Sequence, residues 1–239
     1  MEQPTSSHQK ALKTITKGRE RTNILRQPEQ NFIAFLVQRV PAWITPDGLT
    51  GIGMIGSLIT MSSFILAHHF GRIYLLLGIL GLFINWVGDA LDGRLAYYRK
   101  TPRKWYGFSL DYIVDWLSNI CIGIGFILYV EGSARLIGFG FVVLYGWAMM
   151  IALLRYKITN KYSIDSGFLG PTEVRVLISA ILVLEIFVAN SIIVSGLVIC
   201  VVLLIINIID FRKLLVIADR RDKREKIEKR NKENATGND

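Results

Sequence analysis

Long apolar segments separated by short polar connections fill the chain from residue 49 to residue 209. An α-helix needs about 20 apolar residues to cross the roughly 30 Å hydrocarbon core of a bilayer. Six segments reach or approach that length: residues 49–67, 73–88, 108–130, 136–154, 174–189 and 192–209. The pattern predicts an all-α, polytopic membrane helix bundle with about six transmembrane helices. Because only Asn190 and Ser191 separate the last two segments, a single bent hairpin is the alternative there.

A shorter amphipathic stretch precedes the first predicted span. Between residues 29 and 40, polar Gln38 and Arg39 accompany apolar residues at helical spacing, namely Phe32, Ile33, Phe35, Leu36 and Val40. This stripe predicts an N-terminal interfacial helix or, alternatively, a helix packed on the cytosolic face of the bundle itself. The C-terminal tail alternates basic and acidic residues and is typical of a solvated helix or a disordered flank. We therefore divide the chain into a polar basic tail (1–28), an amphipathic helix (29–44), a six-span domain (45–211) and a basic cytosolic tail (212–239).

The distribution of charge indicates which way the bundle faces. Lys and Arg number 28 against 19 Asp and Glu, which gives a net charge of +9. Only Arg72 and Arg135 lie near the connections on one side, and nearly all other cations lie in the tails and in residues 97–106 and 155–175. Because Lys and Arg favour the cytosolic side, we expect both termini and these loops in the cytosol, at the inner or plasma membrane of a prokaryote. We expect no nucleic-acid partner, since the basic residues flank spans without a recognisable nucleic-acid motif.

Four aspartates stand at the cytosolic ends of two consecutive predicted spans. Asp89 and Asp92 end the second span, and Asp111 and Asp115 begin the third. On helices, the i,i+3 and i,i+4 spacings put each pair on one face. Four converging carboxylates repel one another unless a divalent metal neutralises them. An all-oxygen site of this charge suits Mg²⁺ or Mn²⁺ carrying a substrate diphosphate.

These aspartates belong to a longer pattern. The sequence reads D-x-x-D-G-x-x-A from Asp89 to Ala96 and G-x-x-x-D-x-x-x-D from Gly107 to Asp115. This pattern resembles the signature of the CDP-alcohol phosphotransferase (CDP-alcohol phosphatidyltransferase) family. Tyr97 stands where that signature has an arginine, and the gap before Gly107 is slightly longer than usual. Residues 45–50, before the first span, are also similar to the family's entry into its first helix.

The resemblance implies a chemistry and a set of roles. A CDP-linked donor loses CMP while an alcohol hydroxyl attacks its other phosphorus, with two Mg²⁺ or Mn²⁺ ions at the site. By resemblance, the metal ligands are Asp89, Asp92, Asp111 and Asp115. Asp115 also resembles the family's general base. The positions where a larger side chain would block the donor nucleotide, although helix packing alone would also favour small residues there, are Gly93, Ala96 and Gly107.

Three further cations, Arg155, Lys157 and Arg175, stand at predicted cytosolic helix ends. Taken singly, each is explained as a topology anchor. Taken together and facing a polyanionic site, they are candidates for holding a phosphate on the acceptor. Arg175 is the strongest candidate, because it lies about one helical turn inside the fifth predicted span.

The leading hypothesis is an integral membrane phosphotransferase of phospholipid biosynthesis that moves phosphatidyl from CDP-diacylglycerol to an alcohol and releases CMP. The alternative within the family is a CDP-choline or CDP-ethanolamine transferase acting on a lipid alcohol. An intramembrane prenyltransferase fits less well, because such enzymes generally place their Asp motifs far apart in the chain. A carboxylate-lined cation transporter needs polar residues at membrane depth, and the spans offer only Asn85, Asn119, Glu185 and Asn207. Membrane lipids are expected partners, and a homodimer is compatible with the sequence.

Overall fold

The structure is a computed structural model that describes the backbone of residues 26–159 and 171–236. Within these ranges the chain is helical and contains no strand. The α-helices are α1 (Arg26–Val37), α2 (Pro46–Phe70), α3 (Leu75–Tyr98), α4 (Lys104–Tyr129), α5 (Arg135–Thr159), α6 (Pro171–Phe187) and α7 (Ser191–Thr236). Short 3₁₀ turns at Arg72–Tyr74 and Gly132–Ala134 lead into α3 and α5. Most of the N-terminal tail predicted for residues 1–28 lies outside the described residues.

Among the described residues, five helical segments are long and apolar enough to cross a membrane: Pro46–Phe70, Arg72–Tyr98, Lys104–Tyr129, Gly132–Thr159 and Ser191–Asn231. Helix α6, which corresponds to the fifth predicted span, has 17 residues. At 1.5 Å per residue it is about 25 Å long, slightly less than the hydrocarbon core. The chain turns between α6 and α7 at Asn190, whose φ is 65°. The predicted all-α polytopic membrane bundle is confirmed, with five of the six predicted spans long and apolar enough to cross a membrane. The last two predicted segments form separate helices joined by a tight turn.

Glycines bring α2 and α3 into direct backbone contact. A Cβ atom added at Gly88 would lie 2.5 Å from the Gly53 nitrogen, and one added at Gly56 would lie 2.5 Å from the Asn85 nitrogen. Real side chains do not tolerate such distances, so small residues are required where these two helices meet. The end of α3 that carries Asp89 is thereby held in one register against α2.

Helix α1 packs on the end of the bundle where the aspartates lie. Its residues Ile33, Ala34 and Val37 are buried against Leu49, Ala90, Leu91 and Leu95 of α2 and α3. The inner side of α1 therefore fits one of the two alternatives above, a helix packed on the bundle's own face. On its outer side Phe32 and Phe35 are each 43% exposed, which is typical of an interfacial helix. Helix α1 ends four residues before Pro41.

Glu185, the residue on which a cation transporter would most depend, has a structural role at the other end of the bundle. Its buried carboxylate accepts hydrogen bonds from the Tyr129 hydroxyl at 2.8 Å and from the Ile192 nitrogen at 2.9 Å. It also accepts one from the Asn190 nitrogen at 3.1 Å. The carboxylate therefore satisfies backbone donors at the start of α7 and joins α4, α6 and α7.

Candidate active site

Three carboxylates from two helices meet at one end of the bundle. Asp89 of α3 and Asp111 and Asp115 of α4 each place a carboxylate oxygen within 4.8 Å of the others. All three side chains are partly buried. The i,i+4 spacing puts Asp111 and Asp115 on one face of α4, and Asp89 faces them from the last three turns of α3. The expected convergence of the carboxylates is therefore seen for these three residues.

Two arginines fix the loop that joins α3 to α4. Arg99 donates to the Ile44 carbonyl at 2.5 Å, and Arg103 forms an exposed salt bridge with Asp47. The hydrogen bond from Arg103 to Asp47 holds the pKa of this guanidinium above its ordinary value. These contacts tie the loop to the segment before α2 and to the first turn of α2, and they keep the start of α4 beside the end of α3. Tyr97, in the place of the signature's arginine, is 47% exposed.

Asp92 lies outside the group of three carboxylates. It accepts a hydrogen bond from the Thr50 hydroxyl of α2 at 2.7 Å and another from the Gly93 nitrogen. Three residues advance a helix by about 300°, so Asp92 is turned by about 60° from Asp89. The structure thus brings three of the four predicted ligands together and places the fourth against α2. A ligand role for Asp92 stays a prediction.

Arg175 of α6 contacts the carboxylate group directly. Its Nη1 lies 2.7 Å from Asp89 Oδ2, and its Nη2 lies 3.8 Å from Asp115 Oδ1. Its Nε donates to Asn85 Oδ1 at 2.8 Å. The guanidinium offsets one of the negative charges of the group, which lowers the mutual repulsion of the carboxylates.

The other two predicted phosphate ligands make different contacts. Arg155 of α5 pairs with Asp210 of α7 at 3.4 Å, and the Lys157 carbonyl accepts a hydrogen bond from Arg221 of α7 at 3.0 Å. The Arg155 Nε is buried and has no hydrogen-bond partner among the described residues. Among the described ion pairs with the carboxylate group, those of the three predicted cations come from Arg175.

Three of the four aspartates of the signature thus converge in space. The sequence model of the CDP-alcohol phosphatidyltransferase family matches residues 43–209. The chain belongs to this family. It is also similar to cholinephosphotransferase 1 of Danio rerio, with 30% identity over 110 residues. That match covers 43% of this chain and 28% of the relative, so the chain spans less than a third of that protein's length.

The surroundings of Gly107 distinguish the two explanations for small residues in this phosphatidyltransferase family member, which are room for the donor nucleotide and close helix packing. A Cβ atom added at Gly107 would meet no described atom within 4 Å beyond its own helix turn and chain neighbours. Helix packing therefore does not require a glycine at this position. Asp111 lies one helical turn further along α4. Gly93 and Ala96 lie on α3, where both are partly buried. A nucleotide-binding role for all three stays a prediction, and packing does not account for Gly107.

The donor set fits the divalent metal that the phosphatidyltransferase family generally uses. Carboxylate oxygens are the ligands that Mg²⁺ and Mn²⁺ prefer, and the three oxygens lie near enough to converge on an ion. One guanidinium leaves the three carboxylates with a net negative charge. A divalent cation would neutralise this remaining charge.

Two polar residues of this site were not among the predicted site residues. Asn85 was counted only among the polar residues of the spans, and Thr50 only as part of the segment before the first span. A signal for Asn85 exists, because it precedes Asp89 by four residues and so shares its helix face. Thr50 carries no comparable local signal, since its partner Asp92 is 42 residues away.

Proposed function

We propose that this chain is an integral membrane phosphotransferase that moves a substituted phosphate from a CDP-linked donor to an alcohol and releases CMP. The observation that carries the proposal is the group of three carboxylates with Arg175, within the residues that match the family. We place this end of the bundle in the cytosol, because most cations outside the spans lie on that side. Phospholipid biosynthesis is the pathway class for such a transfer.

The proposed roles rest on the resemblance to the family, and the positions of Asp89, Asp111 and Asp115 support them. By resemblance to the family, Asp89, Asp92, Asp111 and Asp115 would hold two Mg²⁺ or Mn²⁺ ions. Bound metal supplies charge neutralisation for the donor diphosphate and for the leaving CMP. Asp115 removes the proton of the acceptor hydroxyl, and its side chain is 34% exposed against 24% for Asp89, which supports access by the acceptor. The open space beside Gly107 supports nucleotide binding there.

For the donor we propose CDP-diacylglycerol, with a soluble alcohol as acceptor. Lys100 and Lys104 are exposed in and after the loop that leads to α4, and Arg175 lies at the carboxylates. Arg155 retains a buried Nε without a partner in the described chain. A cation at the site favours an anionic acceptor, and a phosphorylated alcohol offers charge-assisted hydrogen bonds to it.

A CDP-choline or CDP-ethanolamine transferase acting on a lipid alcohol is the second candidate. The name of the similar Danio rerio protein, cholinephosphotransferase 1, favours it. The pairing of Arg155 with Asp210 also supports it, because a neutral lipid alcohol needs no phosphate ligand.

A donor and acceptor panel tests both candidates. Purified protein with Mn²⁺ is offered CDP-diacylglycerol, CDP-choline or CDP-ethanolamine, each with soluble alcohols and with diacylglycerol, and CMP release is measured. Release from CDP-diacylglycerol with a soluble alcohol supports the first candidate, and release from CDP-choline or CDP-ethanolamine with diacylglycerol supports the second. Absence of CMP with every pair, or full activity in excess chelator, contradicts the proposed metal-dependent transfer.

A further inference from the structure

Asn85 lies one helical turn deeper in α3 than Asp89 and therefore on the same face. It is buried, and its amide nitrogen donates to the Gly53 carbonyl at 3.1 Å and to the Ser57 hydroxyl at 3.0 Å, both on α2. A carbonyl oxygen only accepts hydrogen bonds, so the amide nitrogen of Asn85 must be the atom that faces Gly53. The amide oxygen is thereby directed away from this carbonyl.

The Asn85 amide oxygen accepts a hydrogen bond from Arg175 Nε at 2.8 Å. Because the guanidinium is planar and its donors form a rigid fork, holding Nε in place also fixes the directions of Nη1 and Nη2. Nη1 lies 2.7 Å from Asp89 and Nη2 lies 3.8 Å from Asp115. One edge of Arg175 is thus held by an uncharged amide, while its other edge faces the carboxylates.

We propose that Asn85 is a positioning residue, which holds Arg175 in the orientation that faces Asp89 and Asp115. Asn85 acts through Arg175 and has no direct role toward substrate. A primary amide suits this buried position because it donates to α2 and accepts from α6 at the same time, which an apolar side chain does not. The consequence for transfer rests on the proposed function, whereas the consequence for the carboxylate group does not.

The first test is a double-mutant cycle on transfer activity, with Asn207→Ala as the matched control. Asn207 is also buried, and its amide donates to the Leu144 carbonyl at 2.8 Å, so it joins α7 to α5. Loss of a hydrogen bond to a charged group predicts a fall in kcat/KM of about tenfold or more for Asn85→Ala. In an Arg175→Ala background the same change should have little further effect, because its target is gone. An additive cycle would overturn the proposal and make Asn85 merely structural.

The second test uses Mn²⁺ alone, titrated into the purified protein and followed by electron paramagnetic resonance. Arg175 competes with a metal for Asp89, so Arg175→Ala is expected to tighten Mn²⁺ binding. Asn85→Ala should shift it in the same direction by a smaller factor, and Asn207→Ala should leave it unchanged. Equal affinity in the two Asn variants would overturn the positioning role.

The two tests fail in distinguishable ways. If no donor and acceptor pair releases CMP, the proposed function fails, and the Mn²⁺ titration still decides the role of Asn85. If Asn85→Ala does not fold, Asn85→Ser takes its place in both tests. The serine hydroxyl can bond to α2, but its side chain is too short to hold Arg175 Nε where the amide holds it.

Discussion

The buried ion pair between Glu29 and Arg94 provides a sharp test of how α1 is held on the bundle. The two side chains are 3.1 Å apart and each is only 4% exposed. Glu29 also accepts a hydrogen bond from the Thr172 hydroxyl at 3.0 Å, so one carboxylate joins α1, α3 and α6. Glu29→Ala leaves the Arg94 guanidinium buried without its carboxylate. Removing one partner of a buried pair costs about 3–5 kcal/mol, so we expect a loss of that size in the free energy of unfolding.

The measurement is equilibrium unfolding in mixed detergent micelles, followed by circular dichroism. Glu225→Ala is the matched control, because Glu225 pairs with Arg221 at 2.7 Å but the two side chains are 59% and 44% exposed. An exposed i,i+4 pair contributes about 0.3–0.5 kcal/mol. The double variant Glu29→Met with Arg94→Met should recover most of the loss, since an apolar pair of similar volume replaces a buried ion pair well. If Glu29→Ala costs no more than Glu225→Ala, the reasoning is wrong.

Three further predictions concern the site and its orientation. Asp89→Asn should remove most CMP release and weaken Mn²⁺ binding, because a ligand is lost. The control Asp219→Asn, in the exposed pair with Lys223, should change neither. Equal behaviour of the two variants contradicts the metal site. A cysteine placed at residue 100 should react with an impermeant reagent from the cytosolic side, and one at residue 132 should react from the opposite side. Labelling of both positions from one side contradicts the predicted topology. Arg175→Ala should raise the KM of a phosphorylated acceptor about tenfold to a hundredfold while donor KM changes little. An unchanged acceptor KM for every alcohol excludes a phosphate contact.

The local features of this protein were predictable from its sequence. Each span was visible as an apolar run, because a helix that crosses a bilayer needs about 20 consecutive, mostly apolar residues. Asp111 and Asp115 were placed on one face of α4 by their spacing alone, and Asp89 was placed at the facing helix end. These inferences needed only helix geometry and the order of the helices.

The features that depend on distant partners were not predictable. Asp92 has the same chemistry as Asp89, and only the position of Thr50 on α2 shows which way its carboxylate is held. The carboxylate of Glu29 meets Arg94 across 65 residues of chain, so no local spacing in the sequence indicates this ion pair. Arg175 was singled out for its depth in the span, but its pairing with Asp89 requires the packing of α6 on α3.

Helix α7 continues without a break past the end of its apolar stretch near residue 209, and it remains helical through Thr236. Arg221 ties this extension to the end of α5 by donating to the carbonyls of Lys157 and Ile158. From residue 209 to residue 231 the helix extends by about 33 Å. A small rigid protein fused in helical register at residue 231 would therefore be carried at a defined angle to the bundle. Such a fusion gives a 27.0 kDa membrane protein an external landmark for particle alignment in electron cryomicroscopy.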